Sequence, residues 1–155
     1  YRGKVVVLEW LNPACPFVVR HYRSGNMPGT QAQAAADGAV WLQVNSTAMG
    51  DLDAVKSVEW QKKQGVVATA YIRDQSGQVG RLFGAQTTPH LFVIAKDGTL
   101  AYQGAIDDQP SASLANTMSA HNYVKAALAA LRAGRPVEKA ATPAYGCGVK
   151  YGSDS

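Results

Sequence analysis

Two cysteines, Cys15 and Cys147, are the residues of this 155-residue chain best suited to covalent chemistry. A thiolate is a nucleophile, a metal ligand and a redox centre, and its reactivity follows the environment that lowers its pKa. Cys15 stands between Asn12-Pro13-Ala14 and Pro16-Phe17-Val18, shortly after the apolar run Val5 to Trp10. A β-branched run of that kind reads as a strand buried on both faces. Asn12-Pro13 breaks the run, and Pro16 suits the first position of a helix because its φ is preset and it has no N–H to leave unpaired. Phe17, Val18 and Tyr22 then share one helical face. The expectation is a cysteine on or beside a helix N-terminus, where unpaired amide N–H groups and the helix dipole favour thiolate over thiol. The competing reading is a structural thiol, since free cysteine is among the most buried residue types.

Other chemistry-bearing groups lie close in sequence. Arg20 and His21 fall about a turn and a half further along the same helix, where each is either a cation reaching back to lower the thiol pKa or plain surface cover. Glu9 is the odd residue of an otherwise apolar strand. A buried carboxylate needs a partner or a raised pKa, so Glu9 reads either as a proton carrier beside the thiol or as a salt-bridged structural residue. Trp10 reads as core lining near the site. Asp107 and Asp108 lie in a polar stretch where capping and turn roles suffice.

Cys15 and Cys147 are 132 positions apart, which is no zinc-ligand spacing, and no nearby cysteine or histidine completes one. In an oxidising compartment the two could pair, and closing so long a loop would stabilise the fold by about 4–5 kcal/mol. The net charge of +4 is spread along the chain, with Lys62-Lys63 as the only adjacent basic pair, so nucleic-acid binding is not expected. At 46% apolar and 17% charged residues the chain is neither disordered nor membranous, and no stretch approaches the length of a spanning helix. A strand beginning this close to Tyr1 suggests that something upstream is lacking, and no signal peptide is visible. The compartment is therefore open.

The elements that must position Cys15 follow in order. Ser24-Gly25-Asn26 is a turn, Pro28 opens a second helix that Gly38 ends, and Ala39 to Val44 is a second buried strand. Asp53 caps a helix over 54–64 that Gly65 stops, Val66 to Ile72 reads as a third strand, and Val79 to Phe83 as a short helix. Leu91 to Ala95 and Thr99 to Gln103 flank Asp97-Gly98 as a hairpin. Residues 105–117 form a polar excursion, and a last helix is expected over 118–133. One domain spans the chain, with a core over about 1–135 and a tail over 136–155 that carries Cys147. Alternating strands and helices that end in a hairpin predict an α/β domain of three layers, α/β/α, around a central mixed sheet with an antiparallel edge hairpin.

These residues carry a resemblance. Glu9-Trp10-Leu11-Asn12 with Cys15-Pro16-Phe17-Val18 and Arg20-His21-Tyr22, then Asn45-Ser46, Thr87-Thr88-Pro89-His90, Gly104-Ala105-Ile106-Asp107 and Gly146-Cys147-Gly148-Val149-Lys150 together resemble the peroxiredoxin-like redoxin (AhpC/TSA-type) branch of the thioredoxin-fold superfamily. Its usual N-terminal β-hairpin is missing here. The resemblance implies a thioredoxin-like fold, a cis bond at Thr88-Pro89, and a redox role for Cys15. Thr88 would offer its backbone to a bound strand, and His90 would be a proton shuttle, a metal ligand or merely a hydrogen-bonded residue at a strand start. There is no Cys-x-x-Cys motif, because Asn12 stands where the first cysteine would be. Nor is there the branch's usual peroxide-orienting threonine or serine, for which the Asn12 amide is the substitute at hand. The activity implied is that of a thiol-dependent oxidoreductase: Cys15 reacts with a peroxide or a disulfide, and Cys147 or an external thiol reductant resolves the product. The sulfur does the chemistry, so no organic cofactor is implied. Two other readings stand beside it: a thiol-disulfide partner protein that binds along the cis-proline groove, and a metal-handling module in which Cys15 joins His21 or His90 around copper(I).

Overall fold

Alternation along the first strand sets the two faces of the sheet. In the computed structural model, which describes residues 1–115 and 117–153, β1 (Val6–Trp10) sends Val7 to one apolar cluster and Leu8 and Trp10 to another. Asn116 and the last two residues of the expected tail lie outside the described set. The chain continues through α1 (Pro16–Arg23), α2 (Asn26–Ala36), β2 (Val40–Asn45), α3 (Ala54–Gln64), β3 (Ala70–Arg73) and α4 (Gln78–Phe83). It ends with β4 (Thr87–Thr88), β5 (His90–Ile94), β6 (Leu100–Gly104), α5 (Tyr123–Arg132) and β7 (Cys147–Gly148).

The main sheet has the order β3-β2-β1-β5-β6. β1, β2 and β3 run parallel, while β5 is antiparallel to both β1 and β6. On one face Val7, Leu11, Trp41, Leu91 and Val93 pack with Val18 and Tyr22 of α1, Met27 and Ala34 of α2, and Val124 and Leu128 of α5. On the other, Leu8, Trp10, Val44 and Phe92 pack against Val79 and Phe83 of α4. The expected three-layer arrangement around a mixed sheet is therefore the one observed. Among the described residues no helix is long and apolar enough to cross a membrane.

Three elements differ from expectation. β3 starts at Ala70 because the Val66 and Val67 amides are taken by the Gln61 carbonyl and the Gln31 side chain. α5 starts at Tyr123, not at 118: Asn122 caps it by accepting from the Lys125 amide, and Asp108 N–H and His121 C=O bond before it. The tail is not loose. Residues 140–142 run beside β6, with Thr142 N–H donating to the Gln103 carbonyl, and β7 then pairs antiparallel with β4.

Where the tail leaves β6 the fit is close. Gly104 has φ +142°, and a Cβ there would lie 2.3 Å from both the carbonyl and hydroxyl oxygens of Thr142. That hydroxyl accepts from the Ala105 amide and pairs with the Tyr102 hydroxyl. Gly104→Ala is therefore expected to lower the unfolding free energy by about 1–3 kcal/mol, while Thr142→Val costs about 1 kcal/mol, both read from urea denaturation midpoints.

Candidate functional site

Local chemistry places Cys15 where the sequence suggests. The Asn12 side-chain oxygen accepts from Ala14 N–H, and its carbonyl accepts from Cys15 N–H, closing the turn after β1. Asn12 thus builds the loop. Pro16 occupies the first turn of α1 and Cys15 is its N-cap residue, in extended conformation. The thiol is 3% exposed. It donates to the Thr88 carbonyl at 3.2 Å, across the cis Thr88–Pro89 bond foreseen from the resemblance.

The tail brings the second sulfur. Thr88 and Cys147 are directly paired in the β4–β7 ladder, and Cys15 Sγ and Cys147 Sγ lie 2.6 Å apart, both as free thiols. Burial pushes the Cys15 thiol up. Its hydrogen bonds with Cys147 and Thr88 and with the Val18 and Cys147 backbone outweigh that and leave its pKa lowered. The Thr88 hydroxyl is buried and has no hydrogen-bond partner among the described residues. Burial and the neighbouring Cys15 sulfur push Cys147 the other way, to about 11. Of the two thiols, Cys15 therefore gives up its proton first.

Arg20 and His21 do not supply the activating cation. Arg20 is buried and pairs with the equally buried Asp107 at 3.3 Å. Its other N–H groups donate to Thr117 Oγ1, to the Gln109 and Ser111 carbonyls and to the Tyr145 hydroxyl. His21 is lowered to about 4 by burial, with Arg20 adding to that and Asp107 opposing it. Its ring is neutral and sits between Asn26 and Tyr145. The Tyr145 hydroxyl in turn donates to Asp107. Asp107 plays the turn role read from sequence, accepting from the Gln109 amide, and is also the centre of a buried network that anchors the segment just before Cys147.

Glu9 is fully buried and meets neutral donors rather than a salt-bridge partner: the Tyr22 hydroxyl, Trp41 Nε1, Gln31 and Gln43. Its pKa is raised by burial, which these hydrogen bonds only partly offset. Its contacts tie α1, α2 and β2 together and do not include Cys15. Trp10 lines the opposite core, as expected of a core residue, with Nε1 donating to Ser46. His90 belongs to that second layer too. Its ring stacks on Phe92 at 4.5 Å, Nδ1 accepts from the Gln86 amide, and burial lowers its pKa to about 4. The bland reading of His90, a hydrogen-bonded strand-start residue, is the one that fits. Among the described residues no group of three or more His, Cys, Asp or Glu side chains is placed to hold a metal ion, and His21 and His90 are both engaged elsewhere.

Sequence reasoning missed Tyr145, Asp107 and the β4–β7 pair. One local signal was available for Asp107: it directly follows Ala105-Ile106, an apolar pair that goes into the core.

No protein-family model matches the chain, and no curated protein resembles it in sequence. Solved structures do resemble it in fold. A hypothetical protein of Sinorhizobium meliloti superposes with a TM-score of 0.78 at 24% identity, covering 98% of this chain and 82% of that one. An uncharacterised conserved protein of Geobacillus kaustophilus gives 0.78 at 23% identity, over 99% and 80% of the two chains. A candidate thioredoxin of Neisseria meningitidis gives 0.54 at 22% identity, over 66% and 64%. The fold is thioredoxin-like.

The buried groups make two predictions. Arg20→Met leaves Asp107 buried without its cation and is expected to destabilise by about 3–5 kcal/mol in chemical denaturation. Glu9, with its folded pKa above the ordinary 4.5, contributes stability that is complete below that value and is lost as pH rises through the folded pKa. Glu9→Gln should therefore gain on the native chain as pH is raised from 4.5, measured by urea midpoints of both proteins across that range.

Proposed function

We propose that this protein is a thiol-dependent oxidoreductase whose redox pair is Cys15 and Cys147. The observation that carries the proposal is the 2.6 Å approach of two free sulfurs that are 132 residues apart in sequence, set against a disulfide bond length of about 2.05 Å. The difference in pKa between them supports a division of labour. Cys15, the lowered thiol, attacks. Cys147, the raised one, keeps its proton until it is needed.

With a peroxide ROOH, the Cys15 thiolate attacks the terminal oxygen and displaces alkoxide (hydroxide where R is hydrogen): an S–O bond forms, the O–O bond breaks, and the leaving oxygen takes a proton. Sulfur is oxidised by two electrons to the sulfenic acid and the peroxide is reduced to ROH. Cys147 then attacks the sulfenic sulfur, an S–S bond forms and water leaves. Two equivalents of an external thiol reduce the disulfide and become a disulfide themselves. The Thr88 hydroxyl, which is buried, is a donor at hand beside the sulfur for the peroxide oxygen. This is the peroxiredoxin-like reading. A small disulfide substrate follows the same path, with a mixed disulfide at Cys15 in place of the sulfenic acid. The chain contributes the two reacting sulfurs, the oxidant and the reducing thiol come from outside, and no organic cofactor takes part.

Free thiols counted by mass spectrometry before and after one equivalent of hydrogen peroxide, with non-reducing peptide mapping, test the proposal. The expected result is two thiols converting to a Cys15–Cys147 disulfide. Cys147→Ser should stop at a Cys15 sulfenate that dimedone traps, and Cys15→Ser should react only at the background rate of Cys147. Two thiols that persist in peroxide would sink the peroxide reaction.

A further inference from the structure

We infer that residues 141–152 form a strap that fills, within the same chain, the strand-docking edge beside Cys15, so that the site takes small, peroxide-sized oxidants and excludes disulfides carried on folded proteins. The inference rests on Cys15 being the reactive thiol proposed above and names its substrate class. An unpaired strand edge is where an extended polypeptide docks, through main-chain hydrogen bonds. The edge next to this sulfur is Thr87–Thr88, and it is already paired with Cys147–Gly148. An incoming protein sulfur would need the position that Cys147 Sγ holds, 2.6 Å from Cys15.

The strap is fitted at its centre and anchored on both sides. At Gly146, φ is +146°, and a Cβ would lie 2.0 Å from the Thr88 carbonyl oxygen and 3.2 Å from Pro89 N. Only glycine lets the tail backbone come this close. Upstream, the Tyr145 hydroxyl sits among Asp107, Arg20 and His21, and its ring meets Phe17 edge-on at 5.9 Å. Downstream, Val149 N–H donates to the Gln86 carbonyl and Ala48 N–H to the Lys150 carbonyl. The Tyr151 hydroxyl donates to the Ala85 carbonyl, with the Arg81 guanidinium 4.7 Å from its ring centre. Its ring packs so closely on α4 that a Cβ at Gly80 would lie 2.5 Å from the hydroxyl oxygen. Under this strap Cys15 is 3% exposed while Cys147 is only partly buried, which leaves no room at the sulfur for a docked polypeptide strand.

The test compares the native chain with Gly146→Ala, which keeps both cysteines but cannot hold the tail against Thr88. Rates of Cys15 modification by iodoacetamide and by a polyethylene-glycol maleimide are measured by peptide mapping, together with reduction of insulin disulfides. In the native chain the bulky reagent and insulin should react at Cys15 at least about tenfold more slowly than in Gly146→Ala, a larger factor than separates the iodoacetamide rates of the two chains, as expected if lifting the strap is a local opening. Tyr151→Ala frees the strap from its far end without altering the backbone at Cys15, and should shift the bulky-reagent rate in the same direction. A native chain that reduces insulin, or takes the bulky reagent, as fast as the variants overturns the inference. Alkylation requires no turnover, so a chain that ignores peroxide yet shows this size dependence upholds the strap and overturns only the peroxide step.

Discussion

The buried pair of Arg20 and Asp107 is the interaction on which the geometry around Cys15 depends. Two opposite charges removed from water are costly unless every remaining donor and acceptor is also met. Here the guanidinium is met by one carboxylate, the Thr117 hydroxyl, two main-chain carbonyls and a tyrosine hydroxyl. Each of those partners comes from a segment without regular structure. The polar excursion after β6 wraps over α1 because its carbonyls are needed there, and the tail returns to the same place because Tyr145 completes the set.

A second polar cluster holds α1 from the sheet side. Glu9 stands at the middle of β1 and collects donors from α1, α2 and β2, while Gln43 accepts in turn from Gln61 of α3. Neutral donors around a buried carboxylate fix geometry without a counter-charge, and the penalty appears as a raised pKa. With Tyr22 held by Glu9 and Arg20 held by Asp107, the helix that Cys15 caps has little freedom to slide or rotate. The sulfur therefore meets a fixed set of neighbours: the Thr88 carbonyl, the Thr88 hydroxyl and Cys147.

What was legible in the sequence follows from the range of the interactions involved. Strand β1, the break at Asn12-Pro13 and the helix start at Pro16 are local consequences of β-branching, turn chemistry and a preset φ, and they appear where expected. The layer order follows from alternation of apolar residues in β1, β2 and β5. The placement of Cys147 does not, because a two-residue ladder between 87–88 and 147–148 leaves no periodicity to read. Arg20 and His21 look like surface cations by type and spacing. Their burial depends on Asp107, 87 positions away. His90, next to Pro89, leaves shuttle, ligand and strand-start roles open in the sequence, and strand alternation sends its ring to the layer opposite the thiol, with Phe92. Long-range polar partners are the part that residue patterns do not encode.

The order in which the chain is made gives the strap another meaning. Synthesis runs from the amino end at roughly 5–20 residues per second, and Tyr151 follows Cys15 by more than a hundred residues. A chain still on the ribosome thus carries Cys15 for several seconds before the segment that covers it has emerged. During that interval both the thiol and the Thr87–Thr88 backbone are open to whatever surrounds them. Shielding of the sulfur is in this sense a mark of a finished chain: a truncated product would present the same sulfur uncovered.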